Sequence, residues 1–100
     1  PAKDGVTVSQ QGEALLSALS SLERYTVGSM LIVGTETKKI VEVIAIDGRK
    51  MVLEDGSWIM IRPSGTEPKV RFYVEARDPE GTGQLVETAK SLLAETGLLP

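Results

Sequence analysis

The chain has 100 residues, 41% apolar and 25% charged, with eleven basic and fourteen acidic side chains for a net charge of −3. That length suits one small domain with a single modest core, and the composition is that of a soluble globular chain rather than a disordered one. The absence of cysteine and histidine excludes disulfides, a catalytic thiol and the usual zinc ligand and general base, while the acidic balance and the lack of a ~20-residue apolar run argue against nucleic-acid and membrane partners.

The sequence opens at Pro1 with no methionine and no secretory leader, so it reads as a piece of a longer, cytoplasmic polypeptide. Residues 1–9 are polar and form a linker-like opening segment; the domain itself is expected over 10–100. A helix is predicted over 10–24. Leu15, Leu19 and Leu22 fall at i, i+4 and i+7, Leu16 and Ala18 widen the stripe, and Ser9 is placed to cap it. Gly28 follows where the chain leaves that helix.

Strands come next. Met30, Leu31, Ile32 and Val33 make a short β-prone run ended by Gly34, and residues 40–46 are rich in Val and Ile. Asp47-Gly48 then predicts a tight hairpin, because both central positions of such a turn favour positive φ. Residues 51–53 form the return strand, Asp55-Gly56 a second turn, and residues 58–61 another strand. Trp58 alternates with Met60 there and reads as core; Glu54 and Asp55 read as solvated hairpin residues. Residues 70–76 alternate strictly, with Val70, Phe72, Val74 and Ala76 on one face and Arg71, Tyr73 and Glu75 on the other. The last element is a helix over 83–96, striped by Leu85, Val86, Ala89, Leu92 and Leu93, with Glu87, Lys90 and Glu95 on its wet side. Gly97 ends it, and both Asp78-Pro79 and Thr82 carry start signals for it. Helix, antiparallel strands, helix: this order predicts an α+β fold with helices on one face of an antiparallel sheet.

Between the last two strands lies Arg62-Pro63-Ser64-Gly65-Thr66-Glu67-Pro68, with Lys69 and Arg71 just beyond. Two prolines and a glycine in seven residues predict a loop. In an acidic chain this stretch holds three cations, Arg62, Lys69 and Arg71, against the single acid Glu67. Guanidinium forks match the oxygens of phosphate or carboxylate, Ser64 and Thr66 add hydroxyl donors, and Gly65 lets backbone amides approach an anion. The same residues also fit a plain turn in which Arg62 pairs with Glu67. The residue pattern leaves both readings open.

This loop, followed by a strand containing Arg71-Phe72-Tyr73-Val74-Glu75-Ala76, resembles the C-terminal domain of the α-D-phosphohexomutases, the phosphoglucomutases and phosphomannomutases. The resemblance extends over about residues 10–97. It implies the fourth-domain fold of that family, an antiparallel sheet packed against two helices in a TATA-box-binding-protein-like arrangement. It also implies that Arg62, Ser64, Gly65 and Thr66 hold the phosphate of a hexose phosphate or hexose bisphosphate, with Arg71 as a second phosphate-facing arginine. Glu67 and Lys69 lie inside the motif without a settled role.

The parent enzyme would be an intramolecular phosphotransferase moving phosphate between the 1- and 6-positions of a hexose through a phosphoserine. Its catalytic serine motif, Thr-Ala-Ser-His-Asn-Pro-like, does not occur in these 100 residues, nor does its Asp-Gly-Asp-x-Asp-Arg-like metal loop. Asp47-Gly48-Arg49 echoes the latter only as a turn would. No catalytic residue and no cofactor is therefore expected here; Mg²⁺ is expected in the full-length enzyme, and the other domains of the same chain are the expected partners. Two rival readings are a free-standing module that binds phosphate or a phosphoprotein, and an interaction domain that pairs through an exposed sheet edge.

Overall fold

The computed structural model describes residues 6–7, 19–46, 48–63 and 69–97. Six strands and a C-terminal helix are seen: β1 (Val6–Thr7), β2 (Met30–Val33), β3 (Glu36–Ile44), β4 (Arg49–Leu53), β5 (Trp58–Pro63), β6 (Lys69–Glu75) and α1 (Pro79–Glu95). The strands form one sheet in the order β1-β6-β5-β4-β3-β2, and every neighbouring pair is antiparallel. From β2 to β6 it is a meander in sequence order; β1, inside the opening segment, joins the far side of β6 through Val6 opposite Val70 and Thr7 opposite Lys69. The fold is α+β with an antiparallel sheet. Most of the helix expected over 10–24 lies outside the described residues. Its described end, Ser21–Arg24, is a 3₁₀ turn whose Leu22 is buried.

Alternation sorts each strand into an inner and an outer row. Met51 and Leu53 of β4, Ile59 and Ile61 of β5, and Val70, Phe72 and Val74 of β6 all point inward. They meet Leu85, Ala89, Leu92 and Leu93 of α1, the stripe expected from sequence. The helix packs against β5, β6 and the opposite edge strand β2; one helix can reach both because the sheet curls around it. Buried Thr88 fastens this edge by donating its hydroxyl to the Ile32 carbonyl at 2.7 Å. Among the described residues no helix is long and apolar enough to cross a membrane.

Element boundaries move for local reasons. α1 starts four residues before the expected position, because Asp78 caps it by accepting from the Gly81 amide at 2.7 Å and Pro79 sits in the first turn. Gly97, at φ 85°, follows its end as expected. β3 begins at Glu36 rather than residue 40, since Gly34-Thr35 makes a tight turn that pairs Val33 with Glu36. β5 runs through Arg62 and Pro63, two residues beyond the expected loop boundary; Pro63 closes the strand, where its missing amide interrupts no further ladder bond. Trp58 is not core. Ile59 and Ile61 take the inner row and turn Trp58 outward, where its indole donates to Glu75 at 3.0 Å and the Lys50 ammonium lies 4.4 Å from the ring centroid. On α1, exposed Lys90 and Glu87 approach to 3.5 Å, as expected of a wet face.

The second hairpin, between β4 and β5, is held by charge. Asp55 accepts from the Ser57 hydroxyl at 2.6 Å and the Ser57 amide at 3.0 Å, and pairs with Lys38 at 3.0 Å. Partial burial pushes its carboxyl up, but the Ser57 hydrogen bonds and the Lys38 ammonium prevail and hold it down at about 2, against an ordinary 3.8. A depressed carboxylate stabilises the fold above its unfolded value and loses that contribution as pH falls through its folded value. The side chain is 36% exposed, so solvent screening leaves on the order of 1 kcal/mol. Asp55→Asn is therefore expected to lower stability by about 1 kcal/mol at neutral pH, with the gap to wild type closing between about pH 4 and pH 2; urea unfolding across that range measures it.

Candidate functional site

The outer face of the sheet carries the side chains that the core rejects. Register places them in rows: Trp58 opposite Glu75, Met60 opposite Tyr73, and Arg62 opposite Arg71. On the other side of β5, Lys50 lies opposite Met60 and Val52 opposite Trp58. The last row, at the end of the sheet nearest the 64–68 connection, thus sets two arginines side by side, both half-buried. Of the residues singled out by sequence, Arg62 and Arg71 are brought together. Lys69 opens β6, two residues before Arg71, and its side chain lies outside the described residues, as do Ser64, Gly65, Thr66 and Glu67.

The Arg62 guanidinium is held in one place. Its Nη2 donates to the Tyr73 hydroxyl at 3.1 Å, and its Cζ stands 5.4 Å from the centroid of the same ring. Nε is enclosed and finds no hydrogen-bond partner among the described residues. An arginine carries five N–H donors. Among the described residues, Tyr73 is the hydrogen-bond partner of this guanidinium.

The Asp47-Gly48 hairpin turns out to touch this site. Gly48 has φ 151°, and a Cβ placed on it would stand 2.5 Å from Arg62 Cβ and 2.6 Å from the Ile61 carbonyl oxygen. Only a residue without a side chain lets the β3–β4 turn lie flat against β5 at Arg62. The next residue, Arg49, turns to the inner side and donates to the Tyr25 carbonyl at 2.6 Å and the Glu23 carbonyl at 3.3 Å, closing the end of the 3₁₀ turn. Among the described residues no group of acidic side chains converges to hold a metal ion.

An open hollow of about 430 Å³ between β2 and α1 is a poorer anion site. Ile32, Leu92, Gln84 and the acids Glu87 and Glu95 line it, without a cation. At its rim Tyr25 donates to Glu95, which also pairs with Arg24 at 3.1 Å.

Comparison with known proteins now has geometry to rest on. The sequence model of the family described as phosphoglucomutase/phosphomannomutase, C-terminal domain, matches residues 12–91. The chain belongs to that family. It is 47% identical over 58 residues to a phosphopentomutase of Thermococcus kodakarensis, covering 58% of this chain and 13% of that protein. A probable phosphoglucosamine mutase of Methanococcoides burtonii is 38% identical over 66 residues, 66% of this chain and 14% of its own length. A phosphoglucosamine mutase of Methanocaldococcus jannaschii is 44% identical over 50 residues, 50% of this chain and 11% of its own length. This phosphohexomutase-family chain thus spans 11–14% of the length of these three relatives, each of them a mutase by name.

Sequence pattern missed Gly48 as a member of the site and left open whether Tyr73 lines it. Tyr73 could be placed on the Arg71 face by alternation, but its contact with Arg62 needs the β5–β6 register. Gly48 looked like a turn residue alone. Its closeness to Arg62 predicts that Gly48→Ala destabilises the fold by roughly 1–3 kcal/mol, from the strained φ and the collision with β5. Chemical denaturation measures the loss, and the Arg62 and Ile61 amide resonances are expected to be among those that shift.

Proposed function

We propose that this chain is the C-terminal domain of a cytoplasmic phosphosugar mutase, and that the end of the sheet at Arg62 and Arg71 grips the non-reacting phosphate of the substrate. The observation that carries the reading is the pairing of Arg62 with Arg71 at one register position beside the 64–68 connection. Register sets Arg62 and Arg71 opposite each other on adjacent strands, and a phosphate dianion matches the fork of donors that an arginine presents. Ser64, Gly65 and Thr66 complete the cradle in this reading, with Lys69 and Glu67 flanking it. The domain occupies 10–100 after a short opening segment, and its helix over 10–24 joins α1 in the two-helix, TATA-box-binding-protein-like arrangement.

The reaction assigned to the whole enzyme is intramolecular transfer of phosphate between the 1- and 6-positions of a hexose, passing through a bisphosphosugar. The phosphoserine and Mg²⁺ belong to other domains of that polypeptide. At each stage one phosphate reacts while the other must stay fixed. Holding the second phosphate makes attack at the far end effectively unimolecular, and binding energy from that remote group can close the domain over the cleft and exclude water. A cationic strand end does this without touching the reacting atoms. Relatives named for a pentose and for glucosamine match 58 and 66 residues of this chain, which fits a grip that reads phosphate and leaves the choice of sugar elsewhere.

A hydrogen bond to a charged group contributes ~1.5–3 kcal/mol, so Arg62→Ala in the full-length mutase is expected to weaken phosphosugar binding about 10–150-fold with little change in fold stability. Steady-state kinetics over a panel of hexose, hexosamine and pentose phosphates checks it. Unaltered kinetics for all of them would remove Arg62 from the site.

A further inference from the structure

Arg62 is a long, flexible side chain, and such a chain loses rotamer freedom when it clamps a ligand unless something has fixed it beforehand. In this structure something has. Tyr73 is the diagonal neighbour of Arg62 on the outer face, since Met60 stands opposite Tyr73 and Arg62 opposite Arg71; diagonal pairs lie within reach of aromatic and long side chains. The phenol meets the guanidinium twice, with its hydroxyl accepting from Nη2 at 3.1 Å and its ring centroid 5.4 Å from Cζ. Nε is enclosed without a hydrogen-bond partner among the described residues, so the contacts among them that orient the guanidinium are the two to Tyr73.

Resting on the phosphate reading of the site, we infer that Tyr73 is a positioning residue: it holds the Arg62 guanidinium in its anion-binding orientation before any ligand arrives. The hydroxyl occupies one Nη2 hydrogen and so sets which terminal donors of the guanidinium face away from Tyr73. The tyrosine itself makes no contact with phosphate. Its effect travels through Arg62 alone, and this separates it from a residue that merely fills the outer face. A filler would act on stability; a positioning residue acts on affinity and on the mobility of one guanidinium.

The test uses the full-length protein, labelled with ¹⁵N-arginine and titrated with inorganic phosphate. In wild type the Arg62 side-chain signals are expected to be resolved, as hindered rotation makes the two Nη groups distinct. Tyr73→Phe keeps the ring and deletes the acceptor; it is expected to average those signals and to weaken phosphate binding by about 3–10-fold, the range of one ordinary hydrogen bond. Thermal stability is expected to stay near wild type. Val52→Ala, which trims the same face without reaching Arg62, is expected to leave affinity unchanged. In an Arg62→Gln background Tyr73→Phe is expected to add nothing, because both substitutions remove one interaction. Independent, additive losses would overturn the inference, as would unchanged affinity and unchanged Arg62 signals in Tyr73→Phe while Arg62→Gln alone loses phosphate. If Arg62→Gln keeps full phosphate affinity, the phosphate reading itself falls and takes the inference with it.

Discussion

The pairing of β5 with β6 is the constraint on which the rest of the molecule depends. Its register runs from Trp58 opposite Glu75 to Pro63 opposite Val70. Because side chains alternate, that one alignment decides two things together. It sends Ile59, Ile61, Val70, Phe72 and Val74 into the core against α1, and it brings Arg62 and Arg71 to one position on the opposite face. A slip by a single residue would reverse both outcomes, exposing the apolar row and burying the arginines. The burial of the apolar row, worth roughly 1.5–3 kcal/mol for each large side chain, therefore also enforces the placement of Arg62 opposite Arg71.

The remaining elements supply the stiffness this arrangement requires. β4 flanks β5 on the other side, and its hairpin to β5 is locked by Asp55, Ser57 and Lys38. Across the sheet end, Gly48 lets the β3–β4 turn press directly on Arg62. Arg77 ties the far end of β6 back to the same hairpin by donating to the Asp55 carbonyl at 2.9 Å. Arg62 is thus held along its backbone by β6 and by the close approach of Gly48, and through its side chain by Tyr73.

Much of this was legible in the sequence, and the exceptions follow a physical rule. Strong local signals were read correctly: the Val70–Val74 alternation, the Leu85–Leu93 stripe, and the Asp55-Gly56 turn all depend on neighbours within a few residues. What could not be read was anything decided by partners far along the chain. Trp58 resembled core until β6 supplied Glu75 and β4 supplied Lys50. Arg62 resembled a loop residue because Pro63 follows it, yet pairing with Arg71 carries the strand through both. Gly48 and Tyr73 gave no sign of acting on Arg62, since fourteen and eleven positions of sequence separate them from it. The loop motif itself was recognised by its residues, while its cationic strand end emerged only from register.

Placing the cations on strands rather than within the connection has a consequence for binding. Pro63 and Val70 are register partners, so the 64–68 connection leaves and re-enters the sheet at neighbouring strands about 5 Å apart. Its reach is set by two fixed points, and an anion seated between them meets guanidinium groups whose stems are already anchored in the sheet. Sites carried on regular elements are held more accurately than sites carried wholly on loops. For a group that must grip one end of a sugar while chemistry proceeds at the other, accuracy at the grip becomes accuracy at the reacting atoms, since displacement of the held phosphate moves the far end as well. The strand-borne arginines would fix the direction of the phosphate, and the connection between them would need only to close around it. That division of labour would account for two arginines standing at one register position of the β5–β6 pair.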